Sequence, residues 1–427
     1  MSVKIILEDD SEGPAATYSG AMPTPSTPPP QPLGLHHDQQ PAAPRTRLQD
    51  LDALRAFALL GIFLVNVQLF VEPAALTGAA PVYDDAASDL VNAVVGALFA
   101  GKFYILFSFL FGYSFTLLWD ASARRGVAVV PVALRRFLGL FVLGLAHGLL
   151  LFTGDILLTY ALAGLILLAA RHASISAART AAITITAIMG VGLLGLAALL
   201  GAVEQFGGLS AEELSGAGFG PAPELLRTDY ASYLAGAYPL TLPNLLLVQG
   251  PVALAMFFLG LAAAKARWIE TTTAPRLRRM LLIGLAVGLP GGVASGWLQV
   301  YAGTTSGELL AFALATLTGP FLTAAYVAGL LLAFRTGPGA RLRAAMAPAG
   351  RMALTNYVAQ SAVMALVFTS YGAGLSGSVH PGTAVVLCLA VWAAQLGLSA
   401  LWMRRFARGP LEGLHRALTY WRAPRWT

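Results

Sequence analysis

The sequence predicts an all-α, polytopic transmembrane helical bundle of about ten spans with both termini cytoplasmic. Three observations predict it. The 427 residues are 57% hydrophobic and 11% charged, against roughly 45–50% apolar and about 25% charged in ordinary soluble proteins. The apolar residues fall in blocks close to the roughly 20 residues that a bilayer-spanning helix needs. The charges between those blocks then alternate in sign in a way that only one threading explains.

Residues 1–46 stand apart. Nine of the 25 prolines lie here, from Pro14 to Pro44, and so little apolar material cannot bury a core. The opening Val3 to Leu7 is too short for a signal peptide and is followed by acidic residues. The expected division is a disordered Pro-rich cytoplasmic tail over 1–46, a transmembrane domain over 47–408 and a cytoplasmic C-terminal segment over 409–427.

Spans are expected near 53–70, 98–119, 133–152, 156–170, 181–203, 242–264, 280–300, 309–334, 352–371 and 383–403. With the N-terminus inside, 25 of the 27 basic residues face the cytoplasm, leaving Lys102 and Arg227. The opposite loops carry Glu72, Asp84, Asp85 and Asp89, then Asp155, Glu204, Glu224, Asp229 and Glu308. The connection from Glu204 to Thr241 is expected to be the longest outer loop, with a short helix over Pro223–Ala235. The net charge of +6 therefore reports topology, and no nucleic-acid partner is expected. The single cysteine, Cys388, allows neither an intramolecular disulfide nor a cysteine metal site, and no metal is expected. Walker-type loops, His-Glu-x-x-His and Gly-x-Ser-x-Gly are all missing from the sequence, so ATP hydrolysis, zinc proteolysis and serine hydrolase chemistry lack their usual support.

Polar groups inside spans are costly and mark candidate sites. In the first span Asp52 and Arg55 are three apart and can pair. Arg55 and Asn66 are eleven residues apart, on one helix face and about 16 Å apart along the axis. The third span carries His147, and eight residues later Asp155 stands at the start of the fourth. A histidine in the outer half of a span and a carboxylate in the adjacent hairpin can form a base and its orienter, or a plain structural hydrogen bond with Asp155 as a helix cap. Lys102 either snorkels to headgroups or lines a polar cavity. Arg351, Asn356 and Gln360 lie in the ninth span, and the last two share a face, either joining two helices or projecting into a site.

Several motifs together resemble the YeiB family of bacterial integral membrane proteins, whose C-terminal half is classified as a domain of unknown function. The matching pieces are Leu51-Asp52-Ala53-Leu54-Arg55 with Val65-Asn66, Lys102-Phe103-Tyr104, and His147 through Gly154-Asp155-Ile156 to Tyr160. They continue with Gly350-Arg351-Met352-Ala353-Leu354-Thr355-Asn356-Tyr357 and Gly409-Pro410-Leu411-Glu412 with Arg416. Ala56, Gly413 and His415 depart from the family pattern. The first span is also similar to that of the heparan-glucosaminide acetyltransferase group, although the Lys102 segment lacks that group's histidine. What this resemblance implies is limited; the leading reading of the residues beside it is a membrane protein of acyltransferase-like type in the bacterial plasma membrane, with acyl-CoA as donor at the basic face. Arg55 would meet the donor's phosphates, His147 would be the general base and Asp155 would orient it. Asp52, Asn66, Lys102, Tyr160, Arg351, Asn356 and Gln360 complete the expected donor or substrate site, for a small-molecule or lipid-linked substrate. A transporter of a small or lipidic metabolite, or a non-catalytic membrane subunit, are the other readings the residues allow.

Overall fold

The computed structural model describes residues 45–72, 82–124, 126, 128–207 and 221–421, all within the second of two units, Ala43–Thr427. The expected tail lies outside these residues, except that Arg45 and Thr46 open the first helix. Among the described residues every regular element is helical. The longer helices in chain order are α1 (Arg45–Asn66), α2 (Ala86–Leu98), α3 (Lys102–Arg124), α4 (Val129–Leu150), α5 (Leu157–Ala169), α6 (Ile175–Phe206) and α7 (Tyr230–Pro243). They continue with α8 (Gly250–Lys265), α9 (Ala274–Tyr301), α10 (Thr305–Ala333), α11 (Gly337–Arg351), α12 (Ala353–Phe368), α13 (Pro381–Arg405) and α14 (Pro410–Tyr420). Among the described residues eight helical segments are long and apolar enough to cross a bilayer. The fourth and ninth expected spans are the shorter apolar helices α5 and α12, of 13 and 16 residues.

Three stretches read as connections are helical. Residues 86–98, taken as acidic loop, form α2, because Asp85 is a helix cap: its carboxylate accepts the N–H groups of Ala87 and Ser88, both at 3.0 Å. Those bonds and the Ser88 hydroxyl hold the Asp85 carboxyl down at about 2. α2 meets α3 at a break where Gly101 takes φ +79°. The outer connection is shorter than expected, because helix resumes at Tyr230 and runs through Pro239 and Pro243 to Lys265. A π-helical stretch, Asn244–Gln249, follows the prolines and absorbs the backbone mismatch that their missing N–H groups create. The segment between the eighth and ninth spans forms α11, which packs along α1.

Helices in a bilayer gain little from hydrophobic burial against one another, so close packing rests on small residues. A Cβ on Gly112 of α3 would stand 2.2 Å from the Phe257 carbonyl oxygen, and one on Gly260 of α8 would stand 2.2 Å from that of Phe109. The two backbones touch at both points. Around this crossing Phe111 stacks on Phe257 at 4.7 Å and Phe115 on Phe137 at 4.7 Å.

The two ends of the bundle differ in charge. At one, Lys265 donates to the carbonyls of Arg171 and Ala173, Arg335 to that of Thr272, and Arg343 pairs with Asp50 at 3.0 Å. The opposite ends of the same helices meet through Tyr230 and the Leu151 carbonyl, Ser376 and the Phe70 carbonyl, and Ser88 and His380.

Candidate functional site

At the basic end, three separated stretches of chain close on one cavity. Asp52 and Arg55 lie on one face of α1, and the Arg55 guanidinium donates to the Asp52 carboxylate and to the Ser114 hydroxyl of α3. Gly350 presses the end of α11 onto this turn. A Cβ there would stand 1.7 Å from the Asp52 carbonyl oxygen, so only glycine permits the contact that brings Arg351 to the cavity wall. The third stretch is α14. Its Glu412 carboxylate accepts the N–H groups of Leu354 at 2.7 Å and Thr355 at 3.1 Å, and the Thr355 hydroxyl at 2.6 Å. An acidic side chain at those orphan N–H groups satisfies them and favours the helix dipole. Thr355 in return accepts the Leu411 N–H at 3.0 Å, so α12 and α14 cap each other.

Further along α14, the buried His415 donates from Nε2 to the Arg136 carbonyl oxygen at 2.9 Å, beneath Gly139 of α4. Burial, with the Arg136 charge beside it, pushes the His415 pKa down to about 4, so this imidazole is neutral at neutral pH. Arg416 lies over the Tyr420 ring at 4.6 Å.

The cavity measures about 440 Å³. Five arginines line it, Arg55, Arg136, Arg351, Arg408 and Arg416, together with Asp52 and Glu412. Both carboxylates are already engaged, Asp52 by Arg55 and Glu412 by the α12 terminus. The Arg136 Nε is buried and has no partner among the described residues, and burial together with the charge of Arg416 lowers the Arg408 pKa. Clustered, partly desolvated cations are unfavourable unless an anion joins them. The cavity walls then change character, because Phe107, Leu110, Phe111, Leu140, Leu157 and Tyr160 also line it. A ligand suited to both parts has an anionic head and an apolar extension.

Leu157 marks the start of a second cluster. The next residue, Leu158, gives its N–H to Asp155 Oδ2 at 3.0 Å, and Asp155 Oδ1 stands 2.9 Å from His147 Nδ1. Both side chains are buried. Gly144 leaves room for this: a Cβ there would meet Leu158 N at 2.4 Å and Asp155 Oδ2 at 2.7 Å. The carboxylate oxygen places the Nδ1 proton toward Asp155, and Nε2 has no partner among the described residues. The Tyr357 ring lies 5.0 Å from the imidazole. Asp155 thus caps α5 and orients His147 at once, the two roles that the sequence leaves open. The dyad is not part of the cavity lining, although Leu157, next to Leu158 in the chain, is.

Of the residues expected in the site, Asp52, Arg55, Tyr160 and Arg351 share the cavity. The Tyr160 hydroxyl is tied to Ser108 at 2.7 Å and to the Tyr104 carbonyl at 3.1 Å. Others lie elsewhere. Lys102 is fully buried, and its Nζ donates to the Gly96 carbonyl at 2.7 Å, so it neither snorkels nor lines the cavity. Asn356 bonds to Ser399 at 3.0 Å and Gln360 to Gln395 at 2.9 Å, joining α12 to α13. Asn66 is half-buried at the far end of α1 and does not line the cavity. In the sequence Arg136 and Arg408 signal only topology, Arg416 stands in a motif without a site role, and Ser114 carries no signal at all.

Residues 263–422 match the family described as Protein of unknown function (DUF418). Over 405 residues the chain is 30% identical to the uncharacterized protein YxaH of Bacillus subtilis, covering 89% of this chain and 96% of YxaH. The chain belongs to this family. The uncharacterized protein YeiB of Escherichia coli is 29% identical over 393 residues, covering 86% of this chain and 95% of YeiB. An uncharacterized 39.9 kDa protein of Bacillus acidopullulyticus is 30% identical over 382 residues, covering 89% of this chain and 96% of that protein. No solved structure matches the chain. Residues 51–55, 350–357 and 409–416, three of the stretches on which the sequence resemblance rests, meet at the arginine cavity.

Proposed function

We propose that this multi-pass membrane protein is an acyltransferase that takes acyl-CoA from the cytoplasm into the arginine cavity and passes the acyl group to an acceptor at or across the bacterial plasma membrane. The observation that carries this reading is the cavity itself, which is lined by five arginines and by apolar side chains. Guanidinium forks match phosphate oxygens bidentately, and the apolar wall suits an acyl chain. At the dyad, His147 Nε2 takes the proton of an acceptor hydroxyl or amine as that atom attacks the thioester carbonyl. The new ester or amide bond forms, the C–S bond breaks, and the proton passes to the departing thiolate of CoA.

Ten spans, α5 and α12 included, and cytoplasmic termini belong to the same proposal. They are supported by the gathering of Lys265, Arg335, Arg343 and the arginine cavity at one end of the bundle, in keeping with the positive-inside rule. Cysteine-accessibility labelling should place residues 404–421 inside and 221–241 outside; labelling of 221–241 only from the cytoplasmic side ends this threading.

Calorimetry on the purified protein in nanodiscs tests the donor. Acyl-CoA should bind, and Arg55→Ala or Arg136→Ala should each weaken binding by about 1.5–3 kcal/mol, the value of hydrogen bonds to charged groups. No binding across several acyl chain lengths would remove acyl-CoA as the donor.

A further inference from the structure

A second cavity, on the other face of α3, has no part in the chemistry above. It measures about 430 Å³, within the roughly 300–1,000 Å³ of ligand pockets. Ile105 and Phe109 of α3 face it, whereas Phe107, Leu110 and Phe111 face the arginine cavity, so α3 separates the two. The space exists because Ala262 and Ala263 of α8, and Ala266 just past its end, stand there, side chains that end at Cβ and leave a slot between α6, α8 and α10.

Water does not suit this slot. A buried water needs two to four polar partners, and the one hydroxyl in the wall, that of Thr323, is already donated to the Lys102 carbonyl at 2.9 Å. Hydrocarbon does suit it, and the helices around the slot, apart from the single turn Trp268–Thr271, belong to segments long and apolar enough to cross a bilayer. One end is different. Arg179 and Trp268 line it, at the end of the bundle where Lys265 reaches the carbonyls of Arg171 and Ala173. Arg179 is exposed, and no hydrogen bond or ion pair engages it among the described residues. Tryptophan and a free guanidinium beside an apolar slot are the groups that sit at the headgroup level of a membrane.

We infer that this slot is a lipid site: it holds one acyl chain of an anionic membrane phospholipid, whose phosphate pairs with Arg179. The occupant is a bilayer lipid because the slot lies at membrane depth, and an anionic one because the single charged group at its mouth is a cation. The site goes beyond the proposed acyl transfer and does not depend on it.

Native mass spectrometry of the full chain, released from nanodiscs with equal phosphatidylglycerol and phosphatidylcholine, tests this. One phosphatidylglycerol should be retained over phosphatidylcholine by about fivefold, the contribution of one basic residue near an anionic lipid surface. Arg179→Ala should erase that preference, while Arg279→Ala, outside the slot, should keep it. Leu259→Trp places a ring in the slot from a partly exposed position and should remove the retained lipid of either class. If that variant does not fold, as judged by thermal unfolding in detergent, Ala263→Leu fills the same space and serves instead. Equal retention of the two lipids by the parent, a preference that survives Arg179→Ala, or unchanged retention in the filled variant would each overturn the assignment.

Discussion

His147→Ala is expected to lower acyl-transfer turnover by about 10²–10⁴, the usual contribution of a general base, while acyl-CoA still binds. The reason is positional. The imidazole is held by Asp155 at 2.9 Å and is not among the residues that line the arginine cavity. Removing it also leaves a buried carboxylate without its partner, which costs stability, so thermal unfolding must accompany the kinetics. Asp155→Asn separates the two effects: the amide can still accept the Leu158 N–H while no longer selecting the Nδ1–H tautomer, and turnover should fall by less than in His147→Ala. If the dyad only ties α4 to α5, activity and stability should fall together in both variants and return together in His147→Gln. A well-folded His147→Ala protein with full turnover would take the dyad out of the mechanism.

Glu412→Ala is expected to release α14 from the bundle and, with it, most of the affinity for the donor. Three hydrogen bonds converge on this carboxylate, and a hydrogen bond to a charged group is worth about 1.5–3 kcal/mol. Docking of α14 should therefore weaken by on the order of 3 kcal/mol or more, taking Arg408, Arg416 and Tyr420 away from the cavity. Limited proteolysis near Arg408 reads the release directly and calorimetry reads the lost affinity. Glu412→Gln retains an acceptor oxygen and should fall between the two. Undiminished protection and unchanged binding in Glu412→Ala would show that α14 is held by its other contacts alone.

Much of this arrangement is legible in the sequence where the signal is local. The apolar blocks mark the membrane helices because a bilayer sets their length and polarity together. Asp52 with Arg55, and His147 with Asp155, can be paired because three residues on a helix and eight across a tight hairpin bring side chains together regardless of the rest of the fold. Helical stretches carrying capping or kinking residues mislead, as with Asp85 before α2 and Pro239 within α7, because the same residue types signal loops in soluble chains. Convergence across the chain is not legible at all. Arg136, Arg408 and Arg416 sit beside span ends, where arginine is expected for topology alone, and only the fold brings them to one cavity. Asn356 and Gln360 are ambiguous in sequence for a related reason: the partners that engage them, Ser399 and Gln395, are about forty residues away.

The cavity takes one wall from Asp52 and Arg55, and another from Arg408, Glu412, Arg416 and Tyr420, so its two sides are made at widely separated times on the ribosome. Every membrane-crossing segment through Arg405 can be inserted before the second wall has been synthesised. A ligand of this cavity therefore meets both walls only once translation has passed Tyr420. A chain stopped just after α13 would keep all of its spans and still be empty-handed, which makes loading of this site a report on whether synthesis and assembly have finished.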